Sequence, residues 1–151
     1  MPRELVTEAF RLEPLGPQHN VGDYRAWMSS IEHIRSTPGF EGREWPKPEM
    51  TLEENLGDLR RHAEDFTGRS GFTYTVIDSS DGEIVGCVYI YPTNAAGSAA
   101  SDDDPAEAAS GAQVRSWVRS DRAELDVQVH DAVTDWLQNA WPFLVVNYAP
   151  R

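Results

Sequence analysis

At 151 residues, 40% of them hydrophobic and five of them Trp, the chain is long enough for one domain with a buried core. Its formal net charge of −12 argues against a nucleic-acid partner or an anionic membrane surface, because both need a positive footprint that this field opposes. Cys87 is the only cysteine, which excludes an intrachain disulfide and a multi-cysteine metal site.

The start, "MPRELVTEAF", lacks the apolar core of a signal peptide. No apolar run approaches the ~18 residues of a membrane span, so a soluble cytoplasmic protein is expected. "EAFRLEPL" predicts a short strand with Phe10 and Leu12 on one face, ended by Pro14 and a Gly-Pro pair. Asn20 can cap a helix reaching Ser36, with Val21, Tyr24, Trp27, Met28, Ile31 and Ile34 at helical spacing. "TPGFEGREWPKPEM" is too rich in Pro and Gly for regular structure and predicts a loop.

Thr51 and Glu54 form a capping box, each side chain satisfying the other's orphan N–H at a helix start. Leu52, Leu56, Leu59, Ala63 and Phe66 then mark the expected buried stripe of that helix. "FTYTVI", the turn "DSSDG" and "EIVGCVYIY" predict a hairpin. Gly86 within its second strand marks a bulge. From residue 93 to residue 112 the chain has no aromatic and no large aliphatic residue. Such a segment cannot bury enough surface to order itself, and it predicts a flexible connector inside one domain spanning 1–151. Its three consecutive aspartates read as a solvated cluster rather than a metal site, since a flexible segment must lose entropy for each ligand it supplies.

"QVRSWV" predicts a strand alternating Val114, Ser116 and Val118 with Arg115, Trp117 and Arg119. A helix follows, with Leu125, Val129, Ala132, Val133, Trp136 and Leu137 at helical spacing, and "WPFLVVNY" predicts a last strand. Strand–helix–strand units strongly favour parallel strands joined by a right-handed crossover.

The resulting order, β-α-α-β-β-β-α-β, is similar to that of the GNAT superfamily, the acyl-CoA N-acyltransferases. The resemblance covers nearly the whole chain and implies an α/β fold whose mixed, mostly antiparallel sheet is flanked by helices. It implies that "VRSWVRSDR" stands where the family pairs pantetheine with a strand edge, and "AELDVQVHDAVTDWL" where the family's helix meets the pyrophosphate. Val118, Arg119, Ser120, Arg122 and Ala123 would then touch acetyl-CoA or another acyl-CoA. The family's turn pattern, Q/R-x-x-G-x-G/A, is not met. Starting at Arg119 puts Arg122 and Glu124 in the glycine places, and starting at Arg122 puts Leu125 and Val127 there. Side chains at those places take up the space of a pyrophosphate, and Glu124 and Asp126 add charge repulsion. The same carboxylates suit a first helical turn, where they stabilise the helix dipole, with Ser120 or Asp121 as the cap. The resemblance also implies a helix and two strands beyond "LVVNY", which this sequence does not contain. A homodimer joining that exposed strand edge is therefore expected.

For chemistry, "FEGREWP" is the segment to examine, since the family commonly recognises its acceptor between the first two helices. Glu44 is the candidate general base, and Arg43 and Trp45 are candidate substrate contacts. The competing expectation is a loop anchored in the core by Phe40 and Trp45. Tyr89, Tyr91 and Trp117 could wall an aromatic pocket or simply pack the sheet. His19, His33, His62 and His130 lie in separate segments without ligand spacing, and Cys87 reads as a small core residue. Two readings of different class remain open. One is a GNAT-shaped module of degenerate cofactor site that binds a small ligand or protein partner; the other is an N-acyltransferase acting on a small amine or aminoacyl substrate.

Overall fold

The computed structural model describes residues 2–93 and 110–151. Their strands are β1 (Leu5–Val6), β2 (Phe10–Pro14), β3 (Phe72–Asp78), β4 (Ile84–Thr93), β5 (Gly111–Val118) and β6 (Val145–Tyr148). The helices are α1 (Asn20–Met28), α2 (Ile31–Ser36), α3 (Leu52–Gly68) and α4 (Leu125–Ala140). The six strands form one sheet in chain order, antiparallel throughout except for the parallel pair β5–β6. This is the mixed, mostly antiparallel α/β architecture expected from the element order, with β1 added before the first predicted strand.

Alternation along the central strands assigns their two faces. Val88 and Ile90 of β4, with Ala112 and Val114 of β5, pack in the larger core with Val129, Val133 and Leu137 of α4. The opposite face presents Cys87 and Trp117 to a second core built from Ala26 and Trp27 of α1, Ile34 of α2 and Leu59 of α3. Gly86 holds the β4–β5 pair together at close range, since a Cβ there would lie 2.3 Å from the Trp117 carbonyl oxygen. Beside it the β3–β4 register shifts between Val76 and Ile77, the bulge that this glycine predicts.

Several boundaries differ from the sequence reading. The helix expected over 20–36 breaks after Met28, where Ser29 Oγ donates to the Ala26 carbonyl and buried Ser30 turns its hydroxyl toward Ser120. The buried face of α1 runs through Asn20, Asp23 and Trp27, leaving Val21 52% exposed. In α3 the inner stripe passes through Asn55 and Leu59 rather than Leu52, which is 42% exposed. Polar pairing explains both changes. Asn55 Nδ2 donates to Asn20 Oδ1 and Asp23 Oδ2, and Asn55 Oδ1 accepts from Trp27 Nε1. Every buried polar group in that set gains a partner, so polar residues can hold the two helices together.

The Thr51–Glu54 capping box forms as predicted. Of the residues expected over 93–112 to form a connector, Thr93 instead closes β4, and Gly111 and Ala112 open β5. Residues 94–109, including the aspartate run at 102–104, lie outside the described residues. The last strand spans only Val145–Tyr148, because Trp141 and Phe143 instead turn their rings into the larger core. No helix among the described residues is long and apolar enough to cross a membrane.

Candidate functional site

A cavity of about 270 Å³ opens between α1, α3, the 37–50 loop and the Tyr89 face of the sheet. The loop is shaped from beneath and behind. Phe40 is buried and stacks near Trp45, whose ring also lies 5.6 Å from Trp27 and 6.2 Å from Trp117. Arg35 of α2 pins the loop backbone by donating to the carbonyls of Glu44 and Pro46. Tyr24 Oη donates to the Met50 carbonyl at the loop's far end. The loop is thus anchored in the core by Phe40 and Trp45, and Trp45 also lines the cavity.

β4 supplies Tyr89 and Tyr91 to the cavity wall, and β5 supplies Arg115. Trp117 lies fully buried behind them, and its Nε1 donates to Tyr89 Oη at 2.9 Å, fixing that hydroxyl. Helix spacing brings Asn55, Asp58 and His62 of α3 to the same wall. Asp23 of α1 completes it, 4% exposed, with Asn55 Nδ2 as the hydrogen-bond donor to Oδ2. Burial pushes the Asp23 carboxyl up to about 6, against the opposing effects of the Asn55 hydrogen bond and nearby His19. Burial also lowers the affinity of His62 for its second proton; its Nδ1 lies 3.2 Å from Thr73 Oγ1. Arg61 is taken by Asp58 at 3.2 Å.

Of the residues singled out from sequence, Arg43, Trp45, Tyr89 and Tyr91 meet at this cavity, with Trp117 behind it. Glu44 does not enter it. Its side chain is 88% exposed and lies 3.4 Å from Lys47. Asp23, Asn55, His62 and Arg115 were not candidates from sequence, and the fold brings them in from three different elements.

The turn after β5 is built differently from a helix-capped anion cradle. Residues 120–122 form a short 3-10 turn, and α4 begins only at Leu125, so neither Ser120 nor Asp121 caps it. The Arg119 N–H donates to the Val85 carbonyl and the Ser120 N–H to Ser30 Oγ at 2.8 Å. Arg119 pairs with Asp121 and Glu83; Arg122 pairs with Asp78, Asp81 and Asp121. The Asp78 and Asp121 carboxyls are held below the usual range, Asp78 chiefly by its hydrogen bonds from Ser80 with Arg122 adding to them, and Asp121 chiefly by Arg119. Val118 is buried in the larger core, and Ala123 sits at the end of the 3-10 turn.

β6 pairs with β5 only over Gly111–Val114, so the strands part beyond that point. The parting is filled by side chains of this chain. Arg151, 5% exposed at its side chain, donates through Nη2 to the Ser116 carbonyl at 2.8 Å and through Nε to Asp126 at 2.6 Å. The Ser116 and Tyr148 hydroxyls share a hydrogen bond, and the Tyr148 ring lies 4.1 Å from that of His130. Among the described residues, no group of three or more His, Cys, Asp or Glu side chains could hold a metal ion.

No family model matches the sequence, and no curated protein matches it. Solved structures do match the fold. A ribosomal-protein-S5-alanine acetyltransferase from Vibrio fischeri superposes with a TM-score of 0.65 at 15% identity, over 92% of this chain and 69% of its own. A GCN5-related N-acetyltransferase from Brucella melitensis gives 0.64 at 17% identity, over 95% of this chain and 57% of its own. A microcin C7 self-immunity acetyltransferase, solved with acetyl-CoA and AMP, gives 0.63 at 13% identity, over 87% of this chain and 62% of its own. At these identities the likeness is one of fold: the chain adopts the GNAT fold, and it spans between 57% and 69% of the lengths of these three proteins.

Proposed function

We propose that this GNAT-fold chain binds a small molecule in the cavity between α1, α3 and β4, and does not hold acyl-CoA on the turn after β5. The observation that carries the reading is the internal use of that turn's binding groups. The Ser120 N–H is already given to Ser30, and both guanidiniums are committed to carboxylates. A pyrophosphate would have to displace those partners at a turn where Arg122 and Glu124 stand in the glycine places. Along the parted edge of β5, where the resemblance would put pantetheine, the Ser116 carbonyl is capped by Arg151. These residues do not fit the cofactor. At about 270 Å³ the cavity lies near the small end of ligand pockets, roughly 300–1,000 Å³, which suits a small metabolite. Calorimetric titration with acetyl-CoA tests the cofactor half of the proposal. No saturable heat is expected, and micromolar affinity would overturn it.

His62 supports a second reading, an acyl-CoA-dependent N-acyltransferase acting on a small amine. Because burial lowers its pKa from 6.5, its ring is neutral at pH 7 and can accept a proton in the cavity wall. Acetyl transfer to an amine panel separates the candidates. Loss of turnover in His62→Gln but not in Glu44→Ala assigns the base to His62, and the converse restores Glu44. The proposal also includes a homodimer through the outer edge of β6, supported by Leu144 and Val145, which are 86% and 68% exposed there. Light scattering that gives a monomer mass would remove it.

A further inference from the structure

The cavity is charged unequally along its length. Of its three arginines, Arg61 is paired with Asp58, whereas Arg43 and Arg115 have no carboxylate partner among the described residues. Arg115 is half-buried, its guanidinium lies over the Tyr91 ring at 5.7 Å, and burial together with neighbouring Arg43 works against its charge. A desolvated cation beside a second cation is costly unless an anion arrives between them. In a chain with 25 acidic and 13 basic residues, a cavity pair of arginines with no carboxylate partner among the described residues marks a place for an external anion.

The other end carries the opposite charge. Asp23 is almost wholly buried, lines the cavity, and among the described residues has Asn55 as the only hydrogen-bond donor to its carboxylate, at Oδ2. Its field acts on Cys87 and Tyr89, whereas Arg115 lies over Tyr91. Cys87, Tyr89 and Tyr91 alternate onto one face of β4, and Arg115 stands opposite Tyr89 in the β4–β5 register. Between the ends, the walls are the rings of Trp45 and Tyr89.

Resting on the reading of this cavity as a small-molecule site, we infer that its ligand is an amphoteric molecule. The anionic end, a carboxylate or phosphate, lies between Arg43 and Arg115, an apolar middle runs along Trp45 and Tyr89, and an ammonium end meets Asp23.

The test uses the full chain and three probes of equal carbon length, ω-aminooctanoate, octanoate and octylamine, titrated calorimetrically or by Trp fluorescence. The amphoteric probe is expected to bind about tenfold tighter than either single-ended probe, the fold-change of one charge-assisted hydrogen bond. Arg115→Gln should reduce it to the level of octylamine without changing octylamine itself. Asp23→Asn should reduce it to the level of octanoate without changing octanoate. Replacing octanoate by octyl phosphate distinguishes the two anion sources at the arginine end. If all probes bind equally, or if neither variant shifts the selectivity, the amphoteric assignment is wrong while the small-molecule reading stands. If none binds, both are wrong. Thermal melts of the two variants confirm that each remains folded during titration.

Discussion

Replacing Asp23 by Asn isolates the energetic consequence of a carboxyl group buried in the cavity wall. Burial raises that carboxyl from the ordinary 3.8 to about 6, and the rise of roughly two pH units corresponds to about 3 kcal/mol between the folded and unfolded states. The sign follows from proton binding. Between pH 4 and pH 6 the folded chain retains a proton that the unfolded chain has released, so stability falls as pH rises through this interval and levels off above it. Asn cannot titrate, and its amide oxygen can still accept from Asn55 Nδ2. At pH 7 the variant should therefore be more stable by up to about 3 kcal/mol. For a chain of this size that raises Tm by roughly 6–12 °C. Melting both proteins from pH 4 to pH 8 and taking the difference removes the contribution of the other acids. A difference that is flat with pH, or a variant that melts below the parent at pH 7, refutes the argument. The same arithmetic links stability to binding: an ammonium group reaching Asp23 would recover the cost of keeping that carboxylate ionised.

Three further outcomes follow from particular contacts. Arg151→Gln removes the cation from the buried pair with Asp126 and should cost about 3 kcal/mol in chemical denaturation; a loss under about 1 kcal/mol would show that water enters the strand parting freely. Gly86→Ala places a methyl group 2.3 Å from the Trp117 carbonyl oxygen, so β4 and β5 must separate locally at a cost of about 1–3 kcal/mol, measured by urea unfolding against an unchanged m-value. Thr51→Ala removes the acceptor for the Glu54 N–H and should cost about 1 kcal/mol without altering probe binding, because the capping box lies outside the cavity. Full stability in that variant would show that water substitutes for the hydroxyl.

Alternation made the sheet legible. Phe10 and Leu12 of β2, and Val114 against Arg115 and Trp117 in β5, occupy the faces that period-two spacing assigns. The capping box at Thr51 was equally legible, since its chemistry is local. The inner faces of α1 and α3 were not. Apolar periodicity marks a buried face by its hydrophobic residues, and here Asn20, Asp23 and Asn55 occupy that face by satisfying one another. A faint signal existed in Asn55 and His62, seven residues apart with Leu59 between them, but only the packing against α1 and β4 makes it decisive. Arg115 was read only as one of the residues alternating with Val114, Ser116 and Val118, which is true of its position. That no carboxylate among the described residues pairs with it depends on what the loop after α2 places opposite it, which spacing within β5 cannot reveal.

The hydroxyl of Ser30 sits where α1 gives way to α2, and it accepts the N–H of Ser120 from across 90 residues of chain. One short hydrogen bond thereby fastens the corner of the helical layer to the exit of the central strand. The 37–50 loop departs from the end of α2, so the aromatic wall it carries hangs from that same corner. Any anion that captured the Ser120 amide would have to compete with this bond.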